Sequence, residues 1–477
     1  MTGKVTHLLI KVMVQVHRLC SPAGLKAVLS FLALVLLGGC TAYSPPERPA
    51  EPIDMPAAFA WNGNGTAQVN AWWEALDSPE LNRLVHAALE DNFDIQAAWA
   101  RLDQALAVSS RTRSGLFPAV DSSLEGARTR TYRDYDLVAD GKTSSLDLAA
   151  SFELDLWGRI RSGYRSDQLS ARAAREDVRA AAISLTGELV GTWVELLAVR
   201  GEIQVVQEQI ETNEKLLQLQ SARYEHGMAS ALDLTQQQEL VANSKSALPL
   251  LQTREKRALN KLAVLLGRSE VQSVSIREHK LPDPMPRPKT GVPAGLLMSR
   301  PDVRAAYFRL RSSDFEVSAA RAQRLPSLSI TARTAMSSDS FSLAWGDWLT
   351  RLGASLTAPL FDAGARKAEV ERTRAVADER LAEYSAIVLE AIQDVQDALA
   401  NISGQEKRIA ELEAELKAAR QARDQARLRY LNGQSDYLNF VTQQRSVQGL
   451  QRNLITARAD LLSSQIALYR ALGGGRE

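Results

Sequence analysis

Cys40 is the residue whose surroundings most clearly predict covalent chemistry in this sequence of 477 residues. A basic stretch and a compact apolar run, Ala27 to Leu37, lead directly into Gly38-Gly39-Cys40. The run is about 11 residues long, which is too short to span a bilayer and typical of a signal peptide. Small residues before a cysteine are what a lipoprotein signal peptidase requires, so we expect cleavage after residue 39 and a lipid on Cys40. The alternative is an ordinary secretory signal that happens to end in cysteine.

Few other residues have types and spacing that predict chemistry. The sequence has no apparent phosphate-binding loop, nucleophile elbow or pair of carboxylates, so we expect neither an enzyme nor a cofactor other than the lipid. Asp155 and Asp362 lie where strands are predicted to give way to helices, and we expect them to cap those helices or to be solvated there, not to catalyse. The histidines outside the signal segment are far apart, which argues against a metal site; they are His86, His226 and His279.

The charge balance gives no reason to expect a nucleic-acid partner. Loss of residues 1–39 removes four of the 57 basic residues and leaves 53 against 56 acids, a formal charge of −3. Nucleic-acid binding needs a basic face. Cys20 leaves with the signal segment, so no intrachain disulfide is expected and stability must come from packing. Thr41, not an aspartate, follows Cys40, which by bacterial sorting habit favours the outer membrane.

The elements that position the remaining motifs occur twice. Arg223-Tyr224-x-x-Gly227-x-x-Ser230 returns 206 residues later as Arg429-Tyr430-x-x-Gly433-x-x-Asp436. Such a period is too long for a solenoid repeat and indicates a duplicated half-protein. Each half reads as a helix, strands, a very long helix, a glycine turn and a returning helix.

Two proline-free tracts, Arg159 to Glu225 and Arg366 to Leu431, predict helices roughly 100 Å long. Apolar residues recur every seven positions in both tracts, which predicts coiled-coil packing. The repeating residues are Ala182, Leu189, Leu196, Ile203, Ile210 and Leu217 in the first tract, and Val388, Val395, Ile402, Ile409 and Leu416 in the second.

A glycine ends each long tract and predicts a helical hairpin. Gly227 and Gly433 can adopt the left-handed backbone that terminates helices. Ser230 and Asp436 follow three residues later, where a side chain can accept hydrogen bonds from the free N–H groups of the next helix. Each tract is therefore expected to fold back on itself at a tip.

Four segments with alternating apolar and polar residues predict strands, near residues 120–130, 146–156, 328–333 and 351–360. Their lengths fit the tilted strands of an outer-membrane barrel, and a soluble two-faced sheet is the alternative. Four strands cannot close on themselves, and the hydrocarbon of a bilayer tolerates no open sheet edge. If the strands span a membrane, several chains must share one barrel.

Taken together, these motifs resemble those of the TolC-type outer-membrane efflux proteins, in the lipoprotein branch that resembles OprM and NodT. The matching segments extend over most of the chain after residue 40. They are Trp72-Trp73 with Ser78-Pro79-Glu80-Leu81, Phe152 to Arg159, Arg300 to Ala306, Pro359 to Gly364 and both Arg-Tyr-x-x-Gly motifs.

The resemblance implies a mainly α fold with membrane β structure and an internal two-fold repeat. A homotrimer would form a 12-stranded outer-membrane β-barrel, continued by a long periplasmic coiled-coil α-barrel. It also implies a passive exit duct for drugs or other small molecules, joined by a periplasmic adaptor to an inner-membrane pump of the resistance-nodulation-division (RND) type. The alternatives are a duct for type I protein secretion and a coiled-coil lipoprotein scaffold that transports nothing.

The resemblance also assigns residues at the tips. The adaptor would contact Arg223, Tyr224, Gly227, Ser230, Arg429, Tyr430 and Gly433. Relatives narrow the entrance with aspartates, and the gate candidates here are Asp233, Asp436, Asn439 and Thr442. Asn439 and Thr442 stand where some relatives carry acids, and Asp436 is as much a candidate for a helix cap as for a gate.

The sequence predicts the following organisation: signal peptide 1–39, lipid anchor and strap 40–75, first-repeat helix 76–117, first β-hairpin 118–157, first long helix with tip and return 158–267, Pro-rich crossover 268–294, second-repeat helix 295–325, second β-hairpin 326–361, and second long helix with tip, return and C-terminus 362–477.

Overall fold

The computed structural model describes residues 45, 71–269, 276–288, 295, 300–338 and 347–474. Cys40, the signal segment and most of the predicted strap lie outside these residues. The described chain forms two compact units. Among these residues, unit one contains 103–172, 308–338 and 347–382, and unit two contains 71–102, 173–269, 276–288, 300–307 and 383–474.

The helices and strands occur in the predicted order. A short 3-10 helix, Trp72–Leu76, precedes α1 (Pro79–Asp91), α2 (Phe93–Ser114), β1 (Ala119–Arg133), β2 (Asp136–Leu154), α3 (Arg159–Glu225), α4 (Ala231–Leu265), α5 (Pro301–Ala322), β3 (Ser327–Ser338), β4 (Asp347–Thr357), α6 (Ala365–Leu431) and α7 (Tyr437–Ala471). The region predicted as one first-repeat helix contains both α1 and α2. Asn92 separates them, because its Oδ1 accepts hydrogen bonds from the N–H groups of Asp94 and Ile95 and starts a new helix.

Unit one holds an antiparallel four-stranded sheet in the order β1-β2-β3-β4. The apolar residues of the alternating pattern share one face, and their side chains are exposed. This apolar face comprises Val120, Leu124, Leu146, Leu148, Ile330, Leu352 and Leu356. The opposite face carries charged residues such as Asp147 and Arg333, which form an ion pair of 2.6 Å.

The strands differ from the predicted segments mainly at their ends. β2 begins at Asp136, ten residues before the alternation at Leu146 becomes visible, because the outer part of the strand has no regular alternation: the apolar Leu137 and Val138 are adjacent and a mostly polar stretch follows them. β4 ends at Thr357, before Pro359, which has no N–H group to donate to a neighbouring strand. β1 and β4 are the edges of this sheet, and neither pairs with a further strand among the described residues.

Two aspartates begin the long helices, as the sequence predicts. Asp155 accepts hydrogen bonds from the N–H groups of Ile160 and Arg161 at 3.0 and 2.8 Å. Asp362 accepts from Gly364 and Arg366 at 3.0 and 3.2 Å. These hydrogen bonds hold the pKa of Asp362 below its usual range, chiefly through the Arg366 N–H. Both carboxylates therefore have structural roles at helix starts.

The core of unit two forms around the middle of α3. Trp193, Leu189 and Leu196 are fully buried there, and Trp72 stacks on Tyr469 with ring centroids 5.6 Å apart. One 18-residue stretch of α3 is long and apolar enough to cross a membrane, but 72% of it is buried within the protein. Packing against the surrounding helices therefore accounts for its hydrophobicity. The predicted heptad residues of α3 and α6 are all buried or half-buried.

Two glycines have nearly the same backbone conformation, but we expect alanine to destabilise the protein by different amounts at the two positions. Gly227 and Gly267 have φ of +71° and +67°, so alanine strains either position by about 1–2 kcal/mol. A Cβ on Gly227 meets nothing within 4 Å, whereas one on Gly267 lies 2.6 Å from the carbonyl oxygen of Asp91. We expect Gly267→Ala to destabilise unit two by about 2 kcal/mol more than Gly227→Ala does. Thermal unfolding followed by circular dichroism measures the difference, and equal midpoints for the two variants would contradict it.

Candidate docking and gating site at the helical hairpin tips

The spacing of the Arg-Tyr-x-x-Gly motif matches the hydrogen bonds that end each long helix. In the first tip, Gly227 N–H donates to the Tyr224 carbonyl at 2.9 Å and Met228 N–H to the Arg223 carbonyl at 2.7 Å. In the second, Gly433 and Gln434 donate to the carbonyls of Tyr430 and Arg429 at 3.0 and 2.9 Å. This is the Schellman arrangement, which requires a left-handed residue at the glycine position. Backbone geometry therefore explains why glycine follows the Arg-Tyr pair at this distance.

The two tips differ in how their return helices begin. Ser230 and Asp233 form a capping box: Ser230 Oγ accepts from Asp233 N–H, and the Asp233 carboxylate accepts from Ser230 N–H, both at 3.1 Å. Asp233, predicted as a gate candidate, is therefore engaged in capping α4.

The predicted capping hydrogen bond of Asp436 is wrong. Asp436 occupies the cap position of α7, but its side chain makes no capping hydrogen bond. Asn439 stands where Asp233 stands in the first tip, and its amide donates to Ser435 Oγ at 2.9 Å, so no reciprocal capping box forms. Asp436, Asn439 and Thr442 are all exposed. Which of these candidates face a lumen stays a prediction.

Arg223 and Tyr430 link the two tips to each other, and their predicted contact with an adaptor stays a prediction. The Arg223 guanidinium lies 5.1 Å from the centroid of the half-buried Tyr430 ring. Tyr430 also accepts a hydrogen bond from Gln220 Nε2 at 3.0 Å and packs against the buried Tyr437, with ring centroids 4.9 Å apart. Their side chains therefore fix the two hairpins together more than they present a free surface.

The exposed apolar side chains at the tips form a different set. We define the tip surface as Tyr224, Met228, Leu232, Leu431 and Leu438, all of which are exposed. Leu232 and Leu438 lie in the first turns of α4 and α7, directly after the two glycine turns. Of this set, Leu232 and Leu438 thus place exposed apolar side chains at corresponding positions of the two tips. Such clusters often mark sites where another protein binds.

A buried polar network joins the two hairpins behind the tip surface. Asn213 of α3 is fully buried; its amide donates to Ser244 Oγ at 2.8 Å and its side-chain oxygen accepts from Gln448 Nε2 at 3.1 Å. Gln237 donates to the Asn213 backbone carbonyl at 2.7 Å and accepts from the Tyr437 hydroxyl at 2.6 Å. This network was not predicted from the sequence. One sequence feature could have indicated it: two polar residues, Asn213 and Gln220, lie seven positions apart within a tract of heptad spacing.

Burial raises the pKa of Tyr437 to about 12. Its hydroxyl is therefore protonated at neutral pH and remains a donor to Gln237. The network consequently consists of neutral donors and acceptors, whose bonds have strict geometry and do not depend on salt or on pH near neutrality.

The network predicts a local effect for Asn213→Ala. The substitution leaves the buried Gln448 amide without its acceptor and Ser244 without its donor, at a cost of about 2–3 kcal/mol. We expect faster hydrogen exchange of backbone amides in α4 and α7. Thr212→Ala is the matched control: Thr212 is the exposed neighbour, and its hydroxyl bonds only to the Glu208 carbonyl. Unchanged exchange in Asn213→Ala would show that the network does not stabilise the tips.

The described residues contain no group of three or more His, Cys, Asp or Glu side chains that could hold a metal ion.

Comparison with known proteins identifies the family to which this chain belongs. The family model for outer membrane efflux proteins matches residues 84–268 and 292–474, one match for each repeat. The chain belongs to this family. The predicted family resemblance is therefore confirmed, and this chain is an outer-membrane efflux protein.

Individual efflux proteins match over nearly the full chain. The pyoverdine export outer membrane protein OpmQ of Pseudomonas aeruginosa is 30% identical over 456 residues, covering 93% of this chain and 95% of OpmQ. The toluene efflux pump outer membrane protein TtgC of Pseudomonas putida is 30% identical, with coverage of 94% and 96%. The solved structure of the outer-membrane channel OprN is similar with a TM-score of 0.83 at 27% identity, covering 91% of this chain and 99% of OprN. The fold class predicted from sequence is confirmed by these likenesses.

Proposed function

We propose that three copies of this efflux protein form one passive duct through the outer membrane. The observation that carries this proposal is the four-stranded sheet of unit one, which has two open edges and an exposed apolar face. In a bilayer every backbone polar group must be paired, so each open edge requires a strand from another copy. Three copies would supply 12 strands, an even number within the range of closed outer-membrane barrels.

The face pattern of the sheet supports an orientation for that barrel. Leu148, Leu352 and the other apolar residues would face lipid, while Asp147, Arg333 and the other polar residues of the opposite face would line a water-filled interior. Polar interiors and apolar exteriors are what barrels of this kind require. All four strands connect to helices at the same end of the sheet, and we place that end in the periplasm.

Coupling to an energy source is part of the same proposal. The tip surface would dock a periplasmic adaptor, and the adaptor would connect the duct to an inner-membrane pump, with the RND type favoured. The exposed apolar side chains at both tips support this assignment, and two of them, Leu232 and Leu438, lie at equivalent positions. The described residues show no group of ligands that could hold a metal ion. In this proposal the pump supplies the energy and the duct is passive.

The proposed cargo is a small organic molecule. The relatives named above are described as exporting pyoverdine or toluene. Type I protein secretion uses ducts of the same kind and is the second candidate. A pump gene of the RND type beside this gene would favour small molecules, and a peptidase-containing ABC exporter would favour a polypeptide. A scaffold without transport would give no conductance in planar bilayers.

A lipid on Cys40 would add a second attachment to the outer membrane. The sequence around Cys40 supports this, because an apolar run and two glycines precede it. Mass spectrometry of the N-terminal peptide of the mature protein tests it. A peptide that begins at Cys40 and carries acyl chains is the expected result, and an unmodified cysteine would contradict the assignment.

Deletion and complementation of the gene test the proposed transport function. We expect cells that express the partner pump but lack this chain to become sensitive to several toxic compounds, and a plasmid copy to restore resistance. Unchanged susceptibility across a broad panel of compounds would contradict the function.

A further inference from the structure

The outer part of the β1–β2 hairpin concentrates positive charge on one face of the sheet. Arg128 pairs with Lys142 across the two strands, and Arg130 pairs with Asp140 in the next row. Residues two apart in a strand share a face, so all four side chains lie on the same side. Three basic groups and one acid give this patch a formal charge of +2. Asp140 Oδ2 lies 2.6 Å from Arg128 Nη2 and 3.5 Å from Arg130 Nε.

The register places this basic patch on the apolar face of the sheet. Leu124 pairs with Leu146, and Arg128 follows Leu124 by four residues on the same strand and the same face. Four residues extend about 13 Å along a strand. The basic patch therefore begins just beyond the end of the apolar face that would contact lipid.

The opposite face of the same rows carries no charge. Its residues are Ala127, Thr129, Thr131, Ala139, Gly141 and Thr143. Solvation alone would favour charged side chains on the sheet face that lines the water-filled interior. Arg128, Arg130 and Lys142 are instead on the face that carries the apolar residues. The turn beyond these rows carries Arg133 with Asp134 and Asp136, so the basic excess is confined to Arg128, Arg130 and Lys142.

We propose that Arg128, Arg130 and Lys142 form a binding site for the phosphate groups of phosphorylated glycolipids in the outer leaflet of the membrane. This proposal rests on the proposed function, which places the apolar face in lipid and the hairpin turns on the outer side. Basic side chains beside an apolar surface match a ligand with acyl chains and an anionic headgroup. Arginine binds phosphate well because its planar guanidinium can donate two parallel hydrogen bonds. Three copies would place three such sites around the barrel.

Titration of the detergent-purified full chain with fluorescent lipid A that carries two phosphates tests the site. We expect the double variant Arg128→Gln/Arg130→Gln to raise the Kd about tenfold, because each basic group near an anionic lipid contributes independently. Asp140→Asn removes the acid and is expected to lower the Kd, which keeps the test informative if the double variant folds poorly. The matched control is Lys367→Gln/Arg374→Gln, which removes two exposed positive charges from α6 and should leave the Kd unchanged.

Two further probes identify the source of the phosphate. Lipid A without phosphates should bind at least about tenfold more weakly than lipid A with both phosphates, and millimolar inorganic phosphate should not displace the phosphorylated lipid. An unchanged Kd in the double variant, or equal binding of both forms of lipid A, would overturn the proposal. Displacement by inorganic phosphate would indicate a free-anion site and would also overturn it. The particle mass, measured in the same samples, reports separately whether the copies assemble as the proposed function requires.

Discussion

Replacing Leu232 and Leu438 together by aspartate is expected to reduce efflux to the level of cells that lack the gene. Both side chains are more than half exposed, at 65% and 54%, so the substitutions leave the packing of the hairpins intact. They lie at equivalent positions of the two tips and would be repeated in three copies. The few hot-spot residues near the centre of an interface contribute about 2 kcal/mol or more each, and we expect Leu232 and Leu438 to be among them. Losing six of them, and adding six charges to a desolvated surface, should prevent docking of the adaptor.

Leu250→Asp is the matched control for the tip variant. Leu250 is 70% exposed and lies in the same helix as Leu232, but it is far from the turn. We expect it to support full resistance. Susceptibility to a pump substrate measures efflux, and cross-linking to the adaptor measures docking. Full resistance in the Leu232→Asp/Leu438→Asp strain would show that the tip surface is not the docking site.

Leu352→Arg is expected to block insertion into the outer membrane almost completely. Leu352 is 79% exposed and lies in the middle row of the apolar face, in line with Val120, Ala150 and Ala332. An arginine at the midplane of a lipid-facing strand costs about 2–4 kcal/mol, and a three-copy barrel carries three of them. The amount of folded protein in the outer-membrane fraction measures the effect.

Ser355→Arg provides the matched control on the opposite face. Ser355 lies three residues further along β4, so its side chain would face the interior of the barrel. We expect it to insert as well as the unsubstituted protein and to change only the ion selectivity of the channel. Equal insertion of Leu352→Arg and Ser355→Arg would contradict the orientation of the sheet.

Local sequence patterns predicted the helices closely and the strands less well. The first long helix spans Arg159–Glu225 in the structure, as predicted, because a proline-free tract, an aspartate at its start and a terminal glycine indicate the same bounds. β2 was predicted too short at its start. Its outer rows carry no period-two signal, because Leu137 and Val138 are adjacent and a mostly polar stretch follows them, so only pairing with β1 reveals these rows.

The Arg-Tyr-x-x-Gly motif was recognised from the sequence, but its physical role was not. The sequence identifies Arg-Tyr-x-x-Gly as a tip signal, but the structure shows that its spacing serves the hydrogen bonds of the turn. Tyr430 and Arg223 pack on each other across the tips, a contact 207 residues apart in sequence that no local pattern could indicate. The network around Asn213 was missed for the same reason: Asn213 lies in α3, and its partners come from two other helices, α4 and α7.

Electron cryomicroscopy of the full chain, purified from outer membranes in detergent and reconstructed without imposed symmetry, tests the central claim most directly. We predict three copies around one continuous lumen, with four strands from each copy closing a single barrel of 12 strands. A particle that contains one copy, with the edges of β1 and β4 unpaired and no lumen, would contradict the account.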